Sequence, residues 1–223
     1  MQTILKAEQI SKTYGNGKAL VHALISCSLA FDKGEFVAIV GKSGCGKSTL
    51  LRILGTLDVP DTGSVLLDGE DVLHLPDRRL SEIRRRKIGF IYQDYSLFPE
   101  YTAYENIILP LHLDGRREEK DAVMEIMETL GIASCKEKFP SEMSGGEQQR
   151  TAIARALILS PSVILADEPT GNLDAENAKE VVCLLNRASR QYRQTILMVT
   201  HDRQTADYAD RILHMRDGKI TSG

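Results

Sequence analysis

Phe36-Val37-Ala38-Ile39-Val40-Gly41-Lys42-Ser43-Gly44-Cys45-Gly46-Lys47-Ser48-Thr49 is the most informative stretch of this 223-residue chain. Five apolar residues running into a glycine read as a strand buried on both faces of a parallel sheet. Gly41 to Ser48 then fits GxxxxGK[ST], and Ser48 to Leu54 reads as the helix that the motif requires after it. Glycines at 41, 44 and 46 let backbone N–H groups, those of Ser43 and Cys45 among them, turn inward around phosphates. The positive end of the following helix points at the same place. Lys47 is expected to reach the β- and γ-phosphates of a nucleotide and the Ser48 hydroxyl to ligate Mg²⁺, with Thr49 beside it in the first turn. A ligand-free Gly/Ser turn is the competing reading, and the flanking strand and helix argue against it.

A second buried strand, Val163-Ile164-Leu165-Ala166, ends in Asp167-Glu168. Ligands of open α/β sheets bind at the carboxyl ends of strands. Asp167 is therefore expected to hold Mg²⁺ through its water shell and Glu168 to polarise an attacking water. A third such run, Ile196-Leu197-Met198-Val199, lies beyond a helical stretch, Ala175 to Tyr192, with Val181, Val182, Leu184 and Leu185 available for its inner face. Strand–helix–strand alternation of this kind indicates a parallel α/β sheet.

The middle of the chain differs. From Thr102 to Ala156 the pattern is mostly helical, with Val123, Ile126, Met127 and Leu130 at i, i+3, i+4 and i+7. The N-terminal part and Gly63 to Leu73, which carries Gly63-Ser64 and Asp68-Gly69 turn signals, read as antiparallel strands. The expected organisation is one domain over 1–223. Residues 1–93 and 157–223 form a β portion plus a RecA-like P-loop core, and about 94–156 a helical subdomain.

Composition narrows the function. A hydrophobic share of 42% and a charged share of 26% belong to an ordinary globular protein. A net charge of −3 gives no reason to expect nucleic acid. The apolar runs are strand-sized, whereas a membrane span needs about 20 residues. Met1 to Lys6 lack the basic and apolar regions of a secretory signal. Cys27, Cys45, Cys135 and Cys183 are scattered without a CxxC pair, so neither a disulfide framework nor a zinc site is expected.

Just upstream of the second strand stands Ser144-Gly145-Gly146-Glu147-Gln148-Gln149-Arg150. By itself it is a helix start, since Ser144 and Glu147 fit a capping box. It also resembles the LSGGQ signature of the ABC ATPases, with Met143 in place of the usual Leu and Glu147 in place of Gln. Further elements of that family follow its order. The resemblance implies that Tyr14 stacks on adenine, that Gln93 approaches Mg²⁺, that Leu173-Asp174 crosses a dimer seam, and that His201 reaches the γ-phosphate. It implies that Ser144, Gly145, Gly146 and Glu147 contact ATP held by the other copy of a head-to-tail homodimer formed on ATP binding. It further implies an ATP-hydrolysing subunit on the cytoplasmic face of the cell membrane, attached through a transmembrane permease subunit. Ile88 to Pro110, with Phe98-Pro99 and Thr102 to Ile107, is similar to the subfamily serving macrolide, lipoprotein and antimicrobial-peptide transporters. A relative of the cell-division ATPase that signals through a membrane partner would keep the same motifs. A soluble ribosome- or DNA-acting relative fits less well, because this chain has one cassette and no sustained heptads.

Three features stay open at the level of sequence. Arg84-Arg85-Arg86-Lys87 reads as a solvated helix end or, against the chain's acidity, as a nucleic-acid or lipid contact. Cys45 is a reactive thiol at a positive helix end or an inert small residue in a tight turn. Tyr95 to Tyr101 packs large apolar side chains into a Pro-containing connection, which reads as the permease docking surface or as residues tucked under the helices.

Overall fold

The computed structural model describes residues 2–222, so Met1 and Gly223 of the expected domain and signal reading lie outside the described residues. Two sheets are present. Strands β1 (Thr3–Tyr14), β2 (Val21–Asp32), β4 (Thr62–Leu67) and β5 (Glu70–Asp71) form an antiparallel sheet in the order β2-β1-β4-β5. The second sheet runs β10-β9-β3-β8-β7-β6. It is built from β3 (Phe36–Val40), β6 (Ile88–Ile91), β7 (Val163–Asp167), β8 (Thr195–Thr200), β9 (Arg211–Arg216) and β10 (Lys219–Ser222). All its pairs are parallel except the terminal β9–β10 hairpin.

Alternation along the central strands explains the layering. Val37, Ile39, Val163, Leu165, Leu197 and Val199 point to one face, where they pack with the antiparallel sheet and with helix α1 (Lys47–Leu54). Phe36, Ala38, Ile164, Ala166, Ile196 and Met198 point to the other, toward α3 (Ala103–Leu113), α4 (Lys120–Thr129), α5 (Gly145–Leu157) and α6 (Ala175–Tyr192). Burying both faces is why these strands read as unbroken apolar runs. Each enclosed aliphatic side chain contributes about 1.5–3 kcal/mol. Two short helices, α2 (Asp77–Arg86) and α7 (Arg203–Ala206), complete the chain.

The C-terminal hairpin joins the two sheets at the glycine-rich loop. Gly218 accepts from Ile25 N at 2.7 Å and from the Cys27 thiol at 3.0 Å, and donates to Cys45 O at 3.1 Å.

Leu184 and Ile126 are half-buried and pack against the margin of the core. The helical middle is interrupted between Leu130 and Ser144, where two single 3₁₀ turns connect α4 to α5. The basic run forms the end of α2, as one of its two readings has it, with Arg86 exposed and its charges paired. Arg84 donates to Thr56 O, Lys87 pairs with Asp68, and Arg85 and Arg86 both bind Asp114 Oδ1, at 2.6 and 2.7 Å. Arg116 takes the other Asp114 oxygen at 2.7 Å. This knot fastens the end of α2 to the end of α3. Hydrogen bonds from Arg85 and Arg86 hold the Asp114 carboxyl at about 2, below its ordinary 3.8. A lowered folded-state pKa stabilises the fold above the unfolded value, and that contribution is lost as pH falls through the folded one. Asp114→Asn is expected to lower the thermal midpoint at pH 7, and the gap to the parent protein should close between about pH 4 and pH 2. Calorimetry across that range checks it; a gap of constant size would exclude the charge as the cause.

Candidate active site

The loop after β3 is shaped by contacts that only glycine permits. A Cβ on Gly46 would collide with Ala23 O, and one on Gly41 with Met215 O. Gly46 also takes φ +108 and Gly44 φ +78, a region that side chains avoid. Helix α1 then begins at Lys47 with no side-chain cap and no acidic residue in its first turn. Its first N–H groups are thus left for an anion. Above the loop lies a cavity of about 750 Å³ lined by Val40 to Cys45 with His201 and Arg216. Cys45 is half-buried against the core.

Lys47 is 5% exposed, and its ammonium donates to Gly41 O at 2.8 Å and Lys42 O at 3.2 Å. It also lies 3.4 Å from Glu168 Oε1. The other Glu168 oxygen faces His201 Nδ1 at 2.5 Å. Glu168 itself adopts φ +48, and its N–H donates to Val199 O, so the backbone turns sharply where β7 ends. Ser48 Oγ donates to Asp167 Oδ1 at 3.0 Å. Burial pushes the Asp167 pKa up, against the Ser48 hydrogen bond, and the neighbouring Glu168 charge adds to the rise. A desolvated carboxylate touching a hydroxyl is a seat that a cation would stabilise. Among the described residues no three His, Cys, Asp or Glu side chains cluster as a metal cage. The Ser48 and Asp167 oxygens suit Mg²⁺, which is commonly held by one or two protein oxygens together with substrate phosphates and water.

Gln93 lies two residues beyond β6 and pairs with Asn172. Its Nε2 is 3.4 Å from Asn172 Oδ1, and Asn172 Nδ2 donates to Gln93 O at 2.9 Å. Tyr14 donates to Asp58 Oδ2 at 2.5 Å, with Lys12 over its ring. Asp174 caps α6 through Asn177 N. Ser144 caps α5, and Ser144 to Glu147 do not line the cavity over Lys47.

The signature glycines have a packing reason as well. A Cβ on Gly145 would lie 2.8 Å from Tyr95 Oη, and one on Gly146 would strike Asn177 Oδ1. Glu147 is engaged within its own chain. Its Oε2 accepts from Ser144 N at 2.7 Å, and its Oε1 accepts from the Cys135 thiol and from Lys138, both at 3.1 Å. The Cys135 hydrogen bond leads the causes that hold its pKa at about 2. An ionised carboxylate with both oxygens engaged repels phosphate.

The structure therefore gathers Lys47, Ser48, Asp167, Glu168 and His201 in one place, and sets Ser144 to Glu147 elsewhere. Sequence reading missed Asn172, Asp58 and the anchoring role of Gln149, whose buried amide donates to Pro169 O at 2.7 Å. The signal for Gln149 was present, a polar residue on the inner arc of a helix, but its partner lies 20 residues away.

A parallel sheet whose glycine-rich loop faces two carboxylates on the next-but-one strand defines a P-loop nucleoside triphosphatase. The sequence matches the ABC transporter family over residues 24–171, and the chain belongs to that family: it is an ATP-binding, ATP-hydrolysing subunit. It is 46% identical to the lipoprotein-releasing system ATP-binding protein LolD of Bordetella pertussis, over 97% of this chain and 94% of that protein. The LolD protein of Geobacter metallireducens is 44% identical with both chains fully covered. Among solved structures, the dimeric structure of MJ0796, a bacterial ABC transporter cassette, superposes with a TM-score of 0.89 at 38% identity, covering 97% and 96% of the two chains. A dimeric post-hydrolysis state of that cassette bound to ADP and Pi gives 0.89 at 37%, covering 98% of each.

The inward-facing Glu147 yields a test. Glu147→Gln keeps an acceptor for Ser144 N and should retain ATPase activity, whereas Glu147→Ala loses the reciprocal cap and should cost about 1 kcal/mol of stability. Denaturant unfolding with parallel ATPase assays separates the two.

Proposed function

We propose that this chain powers a transporter that extracts lipoproteins from a membrane, working as a homodimer on the cytoplasmic face and attached through permease subunits. Relatives named for lipoprotein release over nearly the whole chain support the cargo. No helix of the described residues is long and apolar enough to cross a membrane, which fits peripheral attachment. Residues 94–156 act as a helical lobe on the nucleotide-binding core of 1–93 and 157–223. The observation that carries the reading is that, among the described residues, Ser144 to Glu147 share no hydrogen bond or ion pair with Lys47, Ser48, Asp167 or Glu168. One copy holds half of each site, so a second copy must bring Ser144, Gly145 and Gly146 to the γ-phosphate.

In that assembly the backbone N–H groups of residues 41–49 and the Lys47 ammonium bind the phosphates of ATP, and Tyr14 stacks on its adenine. Ser48 and Asp167 would hold Mg²⁺, approached by Gln93, and the ion supplies charge neutralisation on the phosphates. Glu168 accepts a proton from the attacking water. His201, held on the second Glu168 oxygen, fixes its direction and turns its other nitrogen to the γ-phosphate. Asp174 lies on the loop that meets the partner copy. Fixed donors aimed at developing charge supply most of the rate enhancement in such sites.

The connection Tyr95 to Tyr101 borders the permease footprint. Its two sequence readings divide by residue: Leu97 packs among the helices, while Phe98 and Tyr101 face outward. Buried Asn106 fixes this presentation, accepting from Phe98 N and donating to the carbonyls of Phe98, Tyr101 and Thr102.

Lys47→Ala is expected to weaken ATP binding and turnover together. Glu168→Gln should bind ATP, lose most hydrolysis and accumulate an ATP-dependent dimer on size-exclusion chromatography. Near-normal turnover in Glu168→Gln would remove Glu168 from catalysis.

A further inference from the structure

Tyr14 ends β1 and pairs with Val21 of β2. The two residues are 39% and 59% exposed, a patch of bare apolar surface that a flat ligand would cover. A tyrosine at a strand end turns about two side-chain angles unless it is held, and a loose ring loses that freedom each time a ligand settles on it. This ring is held twice. Its hydroxyl donates to Asp58 Oδ2 at 2.5 Å, and the Thr49 hydroxyl meets the same phenol oxygen. Lys12 Nζ lies 5.3 Å from the ring centroid, in the range of a cation–π contact.

The two restraints are tied to each other. Lys12 pairs with Asp58 Oδ1 at 3.2 Å and donates to Val59 O at 2.6 Å. The Lys12 and Asp58 side chains are only 14% and 21% exposed, so a cation and an anion are withdrawn from water beside one aromatic ring. Burial acts to raise the Asp58 pKa, but hydrogen bonds from Tyr14, the Val59 N–H and Lys12 outweigh it, and the group lies below its ordinary value. The carboxylate is therefore an ionised acceptor. The Tyr14 phenol is pushed up, by burial first and by the Asp58 hydrogen bond next, and stays a neutral donor. Asp58 also follows closely on α1, where its N–H donates to Arg52 O at 3.2 Å. Helix α1 thus carries Lys47 and Ser48 at its start and, just beyond its end, the carboxylate that aims the ring.

We propose that Asp58 and Lys12 are positioning residues for the nucleotide base: Asp58 fixes the Tyr14 hydroxyl, Lys12 covers one ring face, and the purine stacks on the other. The inference rests on Tyr14 stacking on adenine and adds the groups that hold the ring ready for it. A restrained ring loses little freedom on stacking, so the pair acts on the base and leaves the phosphates to Lys47 and Ser48.

For the test, Mg-ADP and Mg-pyrophosphate are titrated into the purified full-length chain. Pyrophosphate reports the phosphate loop alone, so the ratio of its dissociation constant to that of ADP measures what the base and sugar add. Tyr14→Phe keeps the ring and removes only the hydroxyl. It and Asp58→Ala should each lower that ratio at least about threefold, a part of what stacking on an aromatic ring contributes. Lys12→Ala should lower it at least about twofold. The double variant of Tyr14→Phe with Asp58→Ala should match Asp58→Ala within about twofold, because both changes remove one hydrogen bond. A smaller fall in either single variant overturns the inference, whether ADP is unaffected or ADP and pyrophosphate weaken together, as a merely structural triad requires. A double variant in which the two losses multiply overturns it as well, and a smaller fall in Lys12→Ala overturns the part assigned to Lys12. Tyr14→Ala separates the inference from the reading beneath it. If Tyr14→Ala keeps the parent ratio, adenine does not stack on Tyr14 and that reading fails. If it lowers the ratio while Tyr14→Phe and Asp58→Ala do not, only the positioning role fails.

Discussion

Lys47 is almost fully enclosed, yet its ammonium touches two carbonyls of its own loop and the carboxylate of Glu168. That contact exists because β3, β8 and β7 are adjacent and in parallel register, with Val40 beside Thr200 and Asp167 beside Val199. The strands deliver the glycine-rich loop, His201 and the Asp167-Glu168 pair to one edge. A slip of one residue in any of them would turn a catalytic side chain into the core and a core side chain into water. The apolar alternation that builds the two cores is thus the same constraint that assembles the chemistry.

A second tier of contacts fixes the groups that one copy cannot use by itself. The signature helix is capped at Ser144, anchored by the buried Gln149 amide on Pro169 O, and pressed at its glycines by Tyr95 and Asn177. These contacts hold the N-terminal end of α5 in place within a single chain, so dimer formation need not order it. Preorganised donors lose little entropy on engaging a charge.

The phosphate loop, both carboxylates and the parallel sheet were legible in the sequence because each is a local pattern: a strand, a turn, a helix start. The capping box of Ser144 with Glu147 was legible for the same reason and is formed. What escaped was long-range. Arg84 to Lys87 read as a free charge run, since its neutralising Asp68 and Asp114 lie far along the chain. Glu147 sits at a ligand position of the motif, and only the packing of Cys135 and Lys138 against it reveals that it faces inward. The partnership of Gln93 with Asn172 spans 79 residues and leaves no local trace.

The C-terminal hairpin adds a constraint in time. Strand β3 holds the nucleotide loop, but its two neighbours in the sheet are β8 and β9, and the loop's own Cys45 carbonyl is bonded to Gly218. During synthesis the loop leaves the ribosome with both flanking strands still unmade, and such non-local pairings are slow to form. The phosphate cradle is completed only when nearly the entire chain is available. A chain lacking β9 and β10 therefore lacks one neighbour of the strand that carries the nucleotide loop, and with it the bond from Gly218 to that loop.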